Sequence, residues 1–301
     1  MDGFFVFYHH TLMLRIALPN KGRLSEDARD LFNQAGLEVR TAGARALTAS
    51  LGGEFEAIFV RAQDIPEFVA DDAADAGITG LDLVLESGRN LDQKLDLGFG
   101  RCRLVLAARD DSPIRSVADI EDGARIATSF PAIARKFLNS NQKSATLVPV
   151  SGAAEIAPHL GIADIIVDIV STGSTLKTNG LREVATIMES TARLFSSPTI
   201  AAPGNSAKQT ALEELVMALD SVIHARGKRY LMANVPRARL DQVKEVLPGL
   251  NGPTIIDIMD GGIFVAVHAV VPVDSVYRTI GSLKALGAEG ILLTKIERLM
   301  P

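Results

Sequence analysis

Two α/β lobes followed by a smaller βαββαβ module is the architecture this sequence predicts, and three observations carry it. Apolar, β-branched runs alternate with amphipathic stretches up to about residue 225, the pattern of parallel sheets under helical cover. The length of that region suits two lobes with a cleft between them. The lobes divide near residue 100, and the chain returns to the first near 193. From 228 onward the order of elements changes to a ferredoxin-like unit.

LRIALP (14–19) reads as a buried strand. NKGRLSEDARDLFNQAG follows as a helix with Leu24, Ala28, Leu31 and Phe32 on one face and Gly36 at its stop. EAIFVRAQDI gives a strand ending at Arg61, and Asp64 with Pro66 opens a helix. ADAGITGLDLVLESG is a strand, a glycine turn and a helix starting near Asp82. CRLVLAAR (102–109) and ARIATSF (124–130) are strands, PAIARKFLNS a helix, ATLVPVSG a strand and GAAEIAPHLG a short helix. ADIIVDIV (163–170) is apolar except at Asp164 and Asp168, as in a strand buried on both faces. STGST comes next, then LKTNGLREV as a short helical run. RLFSSPTIAA (193–202) is the returning strand, and a helix runs from about Ser206 to Gly227.

In the last part, KRYLMANVP is a strand and RARLDQVKEVLPG a helix. TIIDIMD and IFVAVHAVVP are strands around the DGG turn at 260–262, a hairpin signal. DSVYRTIGSLKALGA is a helix and ILLTKIER the final strand. Such a unit beside a complete two-lobed domain is more often regulatory or oligomer-forming than catalytic.

Composition excludes several classes. The 301 residues carry a net charge of −5, with no Trp and no basic stripe, which argues against nucleic acid. Anionic ligands then need local cationic pockets. No apolar run reaches the length of a membrane span. The only cysteine, Cys102, forms no intrachain disulfide and suits a reducing cytoplasm. Residues 1–13 read as an N-terminal extension: FFVFY is short, without a basic n-region or a cleavage site. His9 and His10 there read as a solvated tail. His159, His224 and His268 show no metal-ligand spacing.

Residues 155–176, EIAPHLGIADIIVDIVSTGSTL, are the most informative stretch. Strand, hydroxyl- and glycine-rich loop, then helix start brings free N–H groups to one point, which suits a phosphate. Gly173 permits close approach, and Ser171, Thr172, Ser174 and Thr175 each bring a hydroxyl. Asp168 stands where a carboxylate could hold ribose hydroxyls or magnesium. The plainer alternative is a capped helix with Thr172 or Ser174 as N-cap.

The spacing of Glu155, Gly161, Ala163, Ile166, Asp168, Thr172, Gly173, Thr175 and Leu176 resembles the signature of the ATP phosphoribosyltransferases, which open histidine biosynthesis. The resemblance runs from Leu14 to about Leu299. It implies a two-lobed, periplasmic-binding-protein-like catalytic region: lobe I over 14–100 and 193–226, and lobe II over 101–192. It also implies an ACT-like C-terminal regulatory domain over 227–301, the mark of the long form.

The resemblance further implies that ATP and phosphoribosyl pyrophosphate (PRPP) are substrates with Mg²⁺. Asp168 and Thr175 would be catalytic, and Glu155, Asp168 and residues 171–175 would hold PRPP. Lys21, Gly22, Arg23, Arg61, Asp82 and Arg103 would meet ATP or pyrophosphate. Leu250, Gly252, Thr254, Val270 and Gly290 would bind histidine as feedback inhibitor. Dimers assembling to hexamers, in the cytoplasm, complete the expectation.

Read by themselves, Lys21 and Arg23 are solvated charges, Arg61 a surface ion pair, Asp82 a helix cap, and the glycines turn residues. Asn234 is neutral where some relatives carry a carboxylate. Two other classes share the lobed cleft: a solute-binding protein or regulator effector domain, and an inactive regulatory paralogue. Neither a signal peptide nor DNA-binding helices support the first, and the intact signature speaks against the second.

Overall fold

The computed structural model describes residues 13–41, 46–247, 249–258 and 262–300. Residues 1–12, with His9 and His10, and Asp260 and Gly261 of the DGG turn lie outside the described residues. By packing, the chain divides into two compact units, the first ending at Val216 and the second starting at Met217.

The first unit opens with β1 (Leu14–Pro19), α1 (Arg23–Gln34), β2 (Arg40–Thr41), β3 (Thr48–Ser50), β4 (Phe55–Val60), α2 (Ile65–Ala70), β5 (Ala76–Gly80), α3 (Leu81–Ser87) and β6 (Asp92–Asp96). The chain then crosses into β7 (Cys102–Arg109), β8 (Arg125–Thr128), α4 (Pro131–Ser140), β9 (Thr146–Pro149), β10 (Ile165–Val170), α5 (Ser174–Thr178) and β11 (Leu181–Ser190). It returns as β12 (Ala192–Ser196) and continues into α6 (Ser206–Ala225).

Two sheets result. The seven-stranded sheet has the order β2-β3-β4-β1-β5-β12-β6, and the five-stranded sheet β11-β7-β10-β8-β9. β1 runs parallel to β4 and β5, while β12 is antiparallel to both of its neighbours. In the second lobe β10 is parallel to β8 and antiparallel to β7. Both sheets are therefore mixed, not wholly parallel.

The cores explain the sequence patterns. α1 buries Ala28, Leu31 and Phe32, and Ser25 takes the place expected for Leu24. Ile65 and Val69 of α2 pack on Ala17 of β1. The second sheet is buried on both faces. Leu104, Leu106, Ile165 and Val167 face a cluster with Phe130 and Leu138, and Val105, Ala107 and Ile166 face Ala157 and Leu176. That double burial is why β10 is apolar without alternation.

One stretch departs from expectation. LKTNGLREV is not one helix: α5 stops at Thr178, Gly180 takes φ +56°, and Leu181 begins a ten-residue strand. Asn179 closes the last turn through its amide to the Thr175 carbonyl at 2.9 Å. The left-handed glycine then turns the chain back along β7.

The second unit holds β13 (Lys228–Pro236), α7 (Leu240–Val246), β14 (Thr254–Asp257), β15 (Phe264–Pro272), α8 (Val276–Ala285) and β16 (Glu289–Lys295). The sheet order is β14-β15-β13-β16, as a ferredoxin-like βαββαβ unit requires. Leu231, Val235, Val265 and Val267 pack under Val243 and Leu283 of the two helices.

Candidate functional site

The carboxyl end of β10 opens into a cavity of about 130 Å³. Glu155, Asp168, Ser171, Thr172, Gly173 and Thr175 are among its lining residues. Three local features shape it. Gly173 sits at φ +80°, a backbone that an L side chain adopts at a cost of roughly 1–2 kcal/mol. Its first helical bond is Lys177 N–H to the Gly173 carbonyl, at 3.3 Å, so the amides of Ser174, Thr175 and Leu176 stand ahead of the ladder. Leu176 is buried and anchors α5, which leaves the hydroxyls of Ser171, Thr172, Ser174 and Thr175 exposed on the other side. Thr172 and Ser174 share a hydrogen bond of 2.9 Å across the turn.

Asp168 is half-buried at the floor of this loop. Burial pushes its carboxyl above the ordinary value of 3.8, and the negative charge of Glu155 acts in the same direction. The Ile169 N–H, donating to Asp168 Oδ1 at 2.8 Å, opposes both. Two carboxylates therefore share one small cavity, with no cationic side chain among the described residues bonded to either. Among the described residues there is no cluster of three or more His, Cys, Asp or Glu that would hold a metal by itself. Carboxylate and hydroxyl oxygens are nonetheless the donors that a hard divalent ion takes, and they leave the remaining positions to other ligands.

In the first lobe, Pro19 pairs with Val60, so the loops after β1 and β4 are neighbours. Asn20 N–H bonds the Val60 carbonyl at 2.8 Å and ties them. Lys21, Gly22 and Arg23 on one loop and Arg61 on the other are exposed. None of these three cations has an ion pair or a side-chain hydrogen bond among the described residues. Gly22 precedes α1 at φ +77° with open space around its Cα. Three unpaired cations at the carboxyl edge of parallel strands form a local positive field on an acidic protein.

Asp82 and Arg103 are placed otherwise. Asp82 is 4% exposed, and its carboxylate accepts the Ser190 hydroxyl at 2.5 Å. Its surroundings are the junction of the lobes rather than open cleft. Arg103 lies beside the start of the 171–175 loop, opposite Val170, but its guanidinium pairs with Glu183 at 2.7 Å. Cys102 stands opposite Ser190. Burial and the charge of Asp82 push its thiol up to about 11, which is the behaviour of a packed residue and not of a nucleophile.

Within the second unit, the five residues expected to hold an effector do not converge. Thr254 is on β14 and Gly290 on β16, the two edges of a four-stranded sheet. Three strand spacings separate them, roughly 14 Å. Val270 lies opposite Tyr230 on the central pair, Leu250 is 49% exposed, and Gly252 takes φ +99°. Gly290 is next to Asn234: a Cβ there would lie 3.5 Å from the Asn234 amide.

Two residues that the sequence did not single out complete the picture. Ser190 is the buried partner of Asp82, and Glu86 of α3 bonds the start of α4. Neither belongs to a motif, and a glutamate in a helix ordinarily reads as solvated.

Comparison with known proteins shows the family that the chain resembles. The profile of the family described as HisG, ATP phosphoribosyltransferase, matches residues 61–221. The profile described as HisG, C-terminal domain, matches 225–298. An ATP phosphoribosyltransferase of Gemmatimonas aurantiaca is 66% identical over 292 residues, 96% of this chain and 100% of the relative. One from Methanocaldococcus jannaschii is 41% identical, with 96% and 100% covered. Among solved structures, an ATP phosphoribosyl transferase (HisG:HisZ) complex from Thermotoga maritima aligns with a TM-score of 0.60 at 29% identity. That alignment covers 69% of this chain and 99% of the other.

Proposed function

The chain belongs to the ATP phosphoribosyltransferase family, the enzymes of the first step of histidine biosynthesis, and on that premise we propose the chemistry that its site performs. Adenine N1 of ATP attacks the anomeric carbon of PRPP. The N1–C1 bond forms as the C1–oxygen bond breaks, and the electron pair leaves on pyrophosphate. The products are N1-(5-phosphoribosyl)-ATP and pyrophosphate. Loss of the leaving group gives the anomeric carbon oxocarbenium character, so no covalent nucleophile is needed. Positioning two anions and stabilising a third is the protein's task.

The observation that carries this reading is the Gly173 loop at the end of β10, with Asp168 beneath it. The loop hydroxyls and the amides ahead of the α5 ladder bind the 5′-phosphate. Asp168, with Glu155, orients the ribose hydroxyls. Lys21, Arg23 and Arg61 offset charge on ATP or pyrophosphate, and they do so without breaking an ion pair to any described residue. Glu155 and Asp168 would offer oxygen ligands to a magnesium ion carried by the polyphosphate substrates, and the ion would supply charge neutralisation at the leaving group.

Histidine acts as feedback inhibitor through the second unit. Thr254 and Gly290 lie on opposite sheet edges, so a pocket using the whole effector set takes residues from more than one chain. That reading accords with a dimer-to-hexamer assembly, and ATP as substrate accords with the cytoplasm.

A steady-state assay with ATP, PRPP, magnesium and pyrophosphatase tests it, following phosphoribosyl-ATP in the ultraviolet with and without histidine. Product that falls on adding histidine is expected. No product from folded protein overturns the catalytic reading, and histidine-insensitive product overturns the feedback reading alone.

A further inference from the structure

Helix α3 belongs to the first lobe by its strand connections, yet its side chains engage the second. Glu86 Oε1 accepts the Ala132 N–H at 2.8 Å, and Oε2 accepts the Ile133 N–H at 3.0 Å. These are first-turn amides of α4, which a helix leaves without internal partners. The side chain of Phe130, at the N-cap of α4, carries no oxygen to offer them. The cap that α4 lacks in its own sequence thus arrives from the other lobe. At the opposite end of α3, the Ser190 hydroxyl donates to Asp82 Oδ1 and accepts the Asp82 N–H at 3.1 Å. Asp82 and Ser190 are 4% and 2% exposed, so water does not compete for these bonds. Between the two polar ends, Leu83 packs against the second lobe's core, and Leu85 lines a groove with Phe137 and Met188.

Seven residues therefore make two polar contacts and two apolar ones across the lobe junction. The Glu86 contact is the reversible one. It lies in the less buried part of α3, and its amides are taken up by water if the lobes part. The Asp82–Ser190 contact is sealed and beside the chain crossings, where Leu81 N–H bonds the Thr191 carbonyl at 3.1 Å.

We propose that α3 is an interlobe clasp, with Asp82–Ser190 as its pivot and Glu86 as a positioning residue. Glu86 holds the second lobe, and with it the 171–175 loop, at the angle to the first lobe's cationic edge that group transfer requires. This rests on the transferase reading above. Misplacement by about 1 Å costs on the order of a hundredfold in rate, so a clasp of this kind acts on turnover more than on binding.

The test uses the full chain with Glu86→Ala, Glu86→Gln and Ser190→Ala. Hydrogen exchange of the peptide spanning 131–140, the radius of gyration by small-angle scattering, kcat, KM and the Kd for PRPP are read for each. Glu86→Ala should speed exchange of the first-turn α4 amides and lower kcat about tenfold or more, with the Kd for PRPP within about twofold. Glu86→Gln, which keeps one acceptor oxygen, should fall between. Faster exchange with unchanged kcat would make Glu86 a structural cap only and overturn the proposal, as would unchanged exchange. If the parent chain itself makes no product, the transferase reading fails separately. The clasp is then judged by scattering, where an unchanged radius in Glu86→Ala overturns it.

Discussion

Glu155 and Asp168 face one cavity, and the negative charge of Glu155 adds to burial in making Asp168 harder to ionise. The Asp168 carboxyl lies above its ordinary value in the fold, first through burial and then through the Glu155 charge. A carboxyl raised on folding favours the native state below its unfolded pKa and loses that benefit as pH rises through the folded one. Ionised Asp168 thus costs stability at neutral pH.

Asp168→Asn should therefore stabilise the unliganded protein. Its melting temperature should match the parent near pH 4 and exceed it increasingly toward pH 7, while kcat falls by about a hundredfold or more. Calorimetry across pH checks the first part. A variant less stable than the parent at pH 7 would contradict the placement of this carboxylate.

The hydroxyl loop should be separable from folding. Thr175→Ala removes an exposed side chain, so Tm should hold within about 1 °C while turnover drops strongly. Gly173→Ala should cost roughly 1–2 kcal/mol through its φ of +80°, and should raise the KM for PRPP as the loop relaxes. Equal KM values for Gly173→Ala and the parent would show that the loop does not hold the phosphate.

Lys21, Arg23 and Arg61 have no ion pair or side-chain hydrogen bond among the described residues, so their removal should leave stability within about 0.5 kcal/mol. Lys21→Ala and Arg61→Ala should each weaken substrate binding about tenfold, with a shallower dependence on salt than the parent. Titration at several ionic strengths checks both.

Cys102 should resist modification. With its thiol pushed up to about 11, only about 0.1% is thiolate at pH 8. Labelling by a disulfide reagent should lag a free thiol by more than a hundredfold. Asp82→Asn removes a charge that raises this pKa, so labelling should accelerate.

The effector set gives a concentration-dependent prediction. Histidine should bind the assembled protein and fail to bind at dilutions where sedimentation finds single chains, because Thr254 and Gly290 occupy opposite edges of their sheet. Binding that is indifferent to dilution would place the pocket within one chain.

Much of this was legible in the sequence because burial and function leave different marks. β10 is readable because both its faces are covered, and the glycine loop after it because φ +80° calls for glycine. β11 was not readable. LREVATIMES breaks its alternation at two register shifts, and its opening residues favour helix. β6, DQKLD, is an edge strand with no buried residue to betray it. Asp82 reads as a ligand or a cap from its place after a strand, and only the fold reveals Ser190 over a hundred positions away. The residues expected to meet an effector come from the resemblance alone, and sequence holds no measure of the distance between the two sheet edges that carry Thr254 and Gly290.

The order of strands also dictates an order of events during synthesis. β6 borders only β12, which follows it by nearly a hundred residues and also separates it from β5. A nascent chain that has emerged as far as Ser190 carries every strand of the five-stranded sheet. The seven-stranded sheet, though begun first, still lacks the strand that joins its last two members. On the ribosome the inserted lobe can finish before the lobe that encloses it in sequence, and β6 waits unpaired until then.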